Sequence, residues 1–479
     1  MKTILAVCAT LAGVATASTN AVPVEVDDSG LEFNAGADLR VRQEIMHNVP
    51  GLPGAPGAMM PRAKKEAQNH IRIRPRVWAR LDYENFGLYG RLVDEFREHI
   101  VKNGVSRKHR AYNFPDELAL DNLYFEGRDL WDGFVDFRIG RQDLFDGRHS
   151  VLGLDHIMLD GAPYVGSRSC YADMLRVTFH TSDESKLDAF ALYDNGRNMF
   201  RYGNRNSRGR PMNAIHPGDS PGMDEWGGGL IWNDSLLEKR IPYQLYAIHK
   251  HNESYRAPSG TRVKDKRITT LGARVTPQLT DILSLDFEGA KQFGTCDGGN
   301  HQAGGYMGYG AIDLHPVLVK DMATYARLSA YYLSGDRHRG GADDNDTAWD
   351  PMWARAPCDS ELMQYGTLYG LGYWSNMLYT RLTLGVDFTP RHRIQIYSGP
   401  MWAAERDGFG HTDGGGSDFK GILSAARYDF PILLAPKNAT GIRRFEIFGH
   451  VIGEVFNPGE YYESTRPSYF IRWELIFKF

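Results

Sequence analysis

The sequence predicts an all-β fold, a transmembrane antiparallel up-and-down β-barrel of about eighteen strands. Three observations carry that expectation. The last twelve residues, SYFIRWELIFKF, alternate strictly, with Tyr469, Ile471, Trp473, Leu475, Phe477 and Phe479 at every second position. Similar dyads recur along the chain, and the connections between them alternate between short and long. A period of two with one wholly apolar face is a strand, and an aromatic-rich apolar face suits lipid better than the edge of a soluble sheet, which would template aggregation.

The elements follow in chain order. Lys2, the apolar run ILAVCATLAGVA and the small residues Ala15-Thr16-Ala17 have the three parts of a secretory signal, so residues 1–17 are expected to be removed. Residues 18–30 then form a short periplasmic segment, and 31–479 the barrel. In 31–45, Leu31, Phe33, Ala35, Ala37, Leu39 and Val41 alternate with Glu32, Asn34, Asp38, Arg40 and Arg42. In the next strand Ile71, Ile73, Pro75, Val77, Ala79 and Leu81 oppose His70, Arg72, Arg74, Arg76 and Arg80. Pro75 removes a ladder donor and argues against a regular central strand at that point. Further dyads lie at Val135 to Ile139, Leu175 to Phe179, Leu283 to Phe287, Leu378 to Phe388 and Phe445 to Val451. Turns such as 83–87, 181–186, 277–281 and 389–393 are short, whereas 46–67, 195–222 and 334–366 are long, the pattern of periplasmic turns and extracellular loops. The long loops, chiefly 195–222 and 334–366, are candidates to fold inward as a constriction or gate.

Composition agrees. The 479 residues include 52 Gly, 25 Tyr, 23 Phe and 9 Trp, and no stretch after the leader approaches the roughly 20 apolar residues of a spanning helix. A net charge of -4 gives no reason to expect a nucleic-acid partner. Three cysteines remain after the leader, Cys170, Cys296 and Cys358, without metal-ligand spacing; Cys296 and Cys358 fall in Gly- and Asp-rich loops and are candidates to pair.

The candidate site is a set of arginines at polar strand positions: Arg40, Arg42, Arg72, Arg74, Arg76, Arg80, Arg138, Arg176, Arg327 and Arg381. Fixed positive charge inside a low-dielectric wall concentrates anions, and the guanidinium fork fits a carboxylate. The competing reading is a closed charge ladder in which these arginines pair with Asp38, Asp136, Asp286, Glu288, Glu446 and Glu454, leaving a nearly neutral or filled interior.

The segments FRIGRQDLFDGRHSVLG (137–153), YLSGDRHRGGADDNDTAWDPMW (332–353) and EVFNPGEYYE (454–463), with the terminal aromatic strand, resemble the alginate export family of outer-membrane porins. The resemblance implies an eighteen-stranded monomeric barrel and, for the family's best-known member, passive export of an acidic polysaccharide through an arginine-lined pore.

Enzymatic readings fare worse. The 16 His are scattered, and HKH (249–251) and RHR (391–393) read as rim residues. GGADDNDTAWD (340–350) is acidic enough for a cation but lacks the glycine and distal glutamate of an EF-hand, and GGNHQAGGYMGYG (299–310) has no following helix to make it a phosphate loop. No catalytic residue, metal or cofactor is expected. The reading is a passive channel in the bacterial outer membrane for anionic solutes, including acidic oligo- or polysaccharide. Its other expected partners are outer-membrane lipid and, through Tyr469 to Phe479, the barrel assembly machinery. The alternatives are a surface or secreted β-protein that binds or cleaves glycans, and a structural barrel with a plugged lumen.

Overall fold

The computed structural model describes residues 24–25, 30–48, 68–101, 117–146, 149–159, 171–194, 201–203, 224–237, 239–256, 262–316, 322–336, 345–354, 360–363, 374–389, 392–405, 417–436, 445–462 and 466–479. The expected leader, Cys170, Cys358 and most of 195–222 lie outside them. Eighteen strands form the wall: β1 (Leu31–His47), β2 (Gln68–Tyr83), β3 (Phe86–Val93), β4 (Glu117–Asp129), β5 (Val135–Asp143), β6 (Tyr171–His180), β7 (Lys186–Asp194), β8 (Glu225–Leu236), β9 (Ile241–Asn252), β10 (Lys266–Val275), β11 (Leu283–Cys296), β12 (Tyr306–Leu314), β13 (Ala323–Leu333), β14 (Met377–Thr389), β15 (His392–Trp402), β16 (Phe419–Leu433), β17 (Glu446–Pro458) and β18 (Ser468–Lys478). Each pairs antiparallel with its neighbours in sequence. β18 returns to β1, from Asp38↔Lys478 to His47↔Tyr469, so the sheet closes. Closure removes the unpaired edges that a strand inside a bilayer cannot tolerate. Among the described residues no helix is long and apolar enough to cross a membrane.

The register puts the predicted faces where the alternation requires. Outward positions carry exposed apolar side chains, among them Leu88, Ile139, Leu230, Leu271, Leu328, Leu382, Ile396 and Ile471. Such a belt on a closed barrel places the chain in the bacterial outer membrane. Residues 84–85 and 181–185 turn at one end, and the strand ends that the longer connections join lie at the other.

Pro75 is accommodated by a break in its neighbour. Its carbonyl accepts from the Asp94 N–H at 3.1 Å, so its nitrogen faces the same side, where β3 ends at Val93 and pairing resumes only with Phe96–Val101. Residues 94 and 95 leave the ladder there, and both are buried.

The lumen is not wet along its whole length, as a passive pore would require. On β18 the inward side chains Ser468, Phe470 and Arg472 are fully buried at the loop end, Ile476 is half-buried and Lys478 is exposed at the turn end. β1 and β2 run parallel to this trend: Arg42, Glu44 and His70 are dry, whereas Arg76 and Arg80 are partly open. The dry half is filled by segments 144–146, 149–159, 345–354, 360–363 and 374–376, with Tyr461 and Tyr462. Their Leu144, Leu154, Ile157, Trp349, Trp353, Leu362, Met363 and Trp374 pack into one apolar cluster with inward residues of the wall. Gly305 permits the approach, because a Cβ there would overlap Ser334 Oγ and the Trp349 nitrogen.

Candidate functional site

All ten arginines singled out above occupy inward positions of the register, and the structure divides them. Arg40, Arg42, Arg72, Arg74 and Arg76 gather on β1 and β2. Arg42 meets Glu44 at 2.9 Å, Arg72 meets Glu95 at 2.8 Å and Arg76 meets Asp38 at 2.8 Å. Arg40 lies 3.4 Å from Glu95 and 3.8 Å from Glu474, and Arg74 lies 3.9 Å from Asp38. Arg80 and Arg138 share Glu126. The others stand apart around the wall, Arg176 on Asp188, Arg327 on Asp313 and Arg381 beside the rings of Tyr379 and Tyr397. Of the acids assigned to a ladder with these arginines, Asp38 takes that part on Arg76, whereas Asp286 is held by Arg274, outside the set, and by His156. Asp136 pairs with His180, and Glu288 accepts from Tyr246. Glu454 accepts the Glu361 and Leu362 N–H groups and the Tyr397 hydroxyl.

Between the filled half and the turn end lies a cavity of about 410 Å³. Arg40, Arg74, Arg76, Arg91, Arg427 and Lys478 line it against Asp143, Asp146, Asp429 and Glu474, so six cationic side chains face four carboxylates. Phe145 and Phe448 add apolar surface. Lys478 is exposed and Arg427 partly so, which marks the turn side as the open side. Sequence reasoning missed Arg91, Arg427 and Lys478 as site residues. Their inward parity was the available signal, but convergence across β1–β3 and β16–β18 depends on closure.

Above the cavity, polar clasps hold the filling segments. Asp350 lies 3.4 Å from Lys250 and 3.2 Å from Lys266, and Gln292 engages its backbone at both ends, donating to the carbonyl at 2.8 Å and accepting the N–H at 2.9 Å. Lys266 also binds Asp346 at 3.0 Å, so both described acids of the 340–350 stretch are salt-bridged to lysine. Glu361 meets Arg472 at 2.8 Å, both fully buried. In 144–159, Arg176 donates to the Val151 carbonyl, and His156 bridges the Tyr331 hydroxyl (2.7 Å) and Asp286 (3.3 Å) while stacking on Tyr309. Trp374 donates to the His156 carbonyl, joining two segments.

The lysines beside Asp350 hold its carboxyl at about 2, below the ordinary aspartate value, against the opposing effect of burial. Deprotonation therefore favours the docked segment. Its stabilisation, about 2 kcal/mol, is complete above roughly pH 4 and is lost as pH falls towards about 2. Conductance and protease access to 334–376 are expected to stay flat from about pH 7 to about pH 5 and to rise only below about pH 4. A rise already complete at about pH 5 would remove Asp350 as the closing contact.

Comparison with solved structures reinforces the architecture. A BenF-like porin from Pseudomonas fluorescens Pf-5 aligns over 93% of this chain and 98% of its own, with a TM-score of 0.51 and 10% identity. The fold is that of an outer-membrane porin. Pseudomonas aeruginosa OccK11 aligns over 93% of this chain and 95% of its own (TM-score 0.48, 11% identity), and Pseudomonas putida OprB over 95% and 96% (TM-score 0.39, 10% identity). No protein-family model and no curated protein matches the sequence. The likeness to alginate export porins therefore rests on the three quoted segments and the terminal strand.

Proposed function

We propose that this porin is a gated channel for small anionic solutes, carboxylates above all. The observation that carries the reading is the cavity in which six cationic side chains face four carboxylates at the open, turn-side half of the lumen. The cations on the lining, backed by Asp38, Glu95 and Asp121, turn guanidinium forks towards the open space, and such forks supply weak, exchangeable contacts that a passing carboxylate can enter and leave. Arg40, Arg74 and Arg76, with Arg91 and Arg427, take that part. Arg42 and Arg72, deeper and dry, hold the wall acids that border the filled half. A volume of about 410 Å³ suits a molecule of one or two sugar rings. The motif resemblance extends the solute class to acidic saccharides, with an alginate-like chain as the long-substrate limit, and supports a monomer that assembles through Tyr469 to Phe479. Passive passage by diffusion needs no catalytic group.

The test is the reversal potential of single-channel openings across a potassium chloride gradient near 0.1 M, where the Debye length is about 10 Å and fixed charge still acts across the cavity. Wild type is expected to select anions. Arg76→Gln with Arg427→Gln brings the lining to four against four and is expected to move the reversal potential towards zero. Cation selectivity in both proteins would overturn the reading.

A further inference from the structure

A line of inward side chains, Glu474, His450 and Arg472, runs from the cavity to the filling segment. Glu474 and His450 both line the cavity and stand opposite one another on β18 and β17. Arg472, two residues along β18, is fully buried and meets Glu361 of segment 360–363 at 2.8 Å. His450 lies between the other two. Its Nε2 accepts from Arg472 Nε at 3.3 Å and from Arg472 Nη2 at 3.1 Å. A guanidinium has no acceptor, so Nε2 carries no proton and the N–H of the ring is on Nδ1. That nitrogen faces Glu474 Oε1 at 3.7 Å.

Glu474 is loosely held for a buried carboxylate. It is 4% exposed, its partners stand at 3.5 Å (Arg42), 3.7 Å (His450) and 3.8 Å (Arg40), and its Oε2 accepts no hydrogen bond among the described residues. A dry carboxylate without close donors responds strongly to any change in the charge around it. Arrival of a solute anion is such a change. Arg40 also lines the cavity, so an anion that engages it takes a cation from Glu474 and sets a like charge beside it. Glu474 then turns to the donor on its other side, the His450 N–H, which is roughly 1 Å short of hydrogen-bond distance. The imidazole is rigid, so a pull at Nδ1 carries Nε2 with it, and Arg472 follows its acceptor. The filling segment is not drawn the same way, because the Glu361 and Leu362 N–H groups are held by Glu454. The contact between Arg472 and Glu361 therefore lengthens.

We infer that His450 is a positioning residue that couples the cavity to the gate: a carboxylate bound at Arg40 loosens Arg472 from Glu361, and the solute opens its own passage. The inference rests on the cavity being the anion site.

The experiment is single-channel recording of the mature barrel in planar bilayers with added sodium lactate, against lactamide, its uncharged isostere. Wild type is expected to open about tenfold more often in lactate than in lactamide, an ordinary size for coupling between two sites. His450→Leu has neither an acceptor for Arg472 nor an N–H for Glu474, and is expected to open equally in the two, whatever its basal frequency. His450→Gln keeps one acceptor and one donor and is expected to restore part of the difference. A histidine with a structural role alone would shift basal opening and leave the ratio of lactate to lactamide at its wild-type value. Heat-modifiable migration confirms that each variant is folded. If His450→Leu is not, protease cleavage of wild type within 334–376 decides, with faster cleavage expected in lactate and equal cleavage overturning the coupling. Anion-selective openings that lactate does not make more frequent, or a folded His450→Leu barrel with the wild-type ratio, would overturn the coupling and leave the cavity as the anion site. Cation selectivity would overturn the reading of the cavity and the coupling with it.

Discussion

Arg472→Met is expected to convert a closed barrel into a conducting one while the wall stays folded. The guanidinium is fully buried on β18, bonded to Glu361 at 2.8 Å and packed against Phe470. Methionine keeps much of its volume but leaves the Glu361 carboxylate dry and deprived of this cation. Removing one partner of a buried pair costs about 3–5 kcal/mol, because the orphaned charge must find water. The wall cannot yield, since β18 is laddered on both sides to β1 and β17. Residues 360–363 can, because their remaining hold on the wall includes two N–H groups on Glu454. The strain therefore undocks the filling segment and lets water follow. Glu44 stays engaged by Arg42 at 2.9 Å and adds nothing to the effect. Planar-bilayer current and protease cleavage within 334–376 should rise together. Adding Glu361→Gln should restore most of the closure, since a neutral amide there orphans no charge. A variant that remains closed and protease-resistant would show that this pair does not hold the plug.

The wall of the barrel was legible because its physics is local. A strand with lipid on one side and a lumen on the other must alternate, and the outward run Tyr469, Ile471, Trp473, Leu475 and Phe477 follows from that alone. The inward side of the arginines was legible for the same reason. Their partners were not. Whether Arg72 meets Glu44 or Glu95 depends on the cross-strand register and on a break at residues 94 and 95, which no periodicity encodes. The plug was read only as loops long enough to turn inward. Its residues have no period, because each segment packs by shape into a cylinder whose wall is supplied from elsewhere. One signal was present. Trp349, Trp353 and Trp374 put three of the nine tryptophans into a single connection, where a solvated loop would carry polar residues.

The plug also explains why an arginine-lined barrel need not leak. Eight methionines, Met46, Met158, Met174, Met307, Met352, Met363, Met377 and Met401, belong to its apolar cluster. Unbranched thioether chains adapt to more than one packing, so such a core can close tightly and still reopen. Replacing 345–354 by a glycine-serine segment of equal length tests this most severely and is expected to give a permanently open channel. Trp349, Met352 and Trp353 are 1–3% exposed, and losing three large buried side chains removes roughly 6 kcal/mol of burial. That exceeds the about 5.5 kcal/mol separating a population of 1:99 from one of 99:1. The Lys250 and Lys266 contacts to Asp350 disappear with it. Both lysines are then left facing the new passage, so the open channel should select anions more strongly than wild-type openings do. The ladder around the wall is untouched, and heat-modifiable migration should persist. If the exchanged barrel stays closed, the seal lies in 144–159, where His156, Tyr331 and Asp286 would still bridge that segment to β11 and β13.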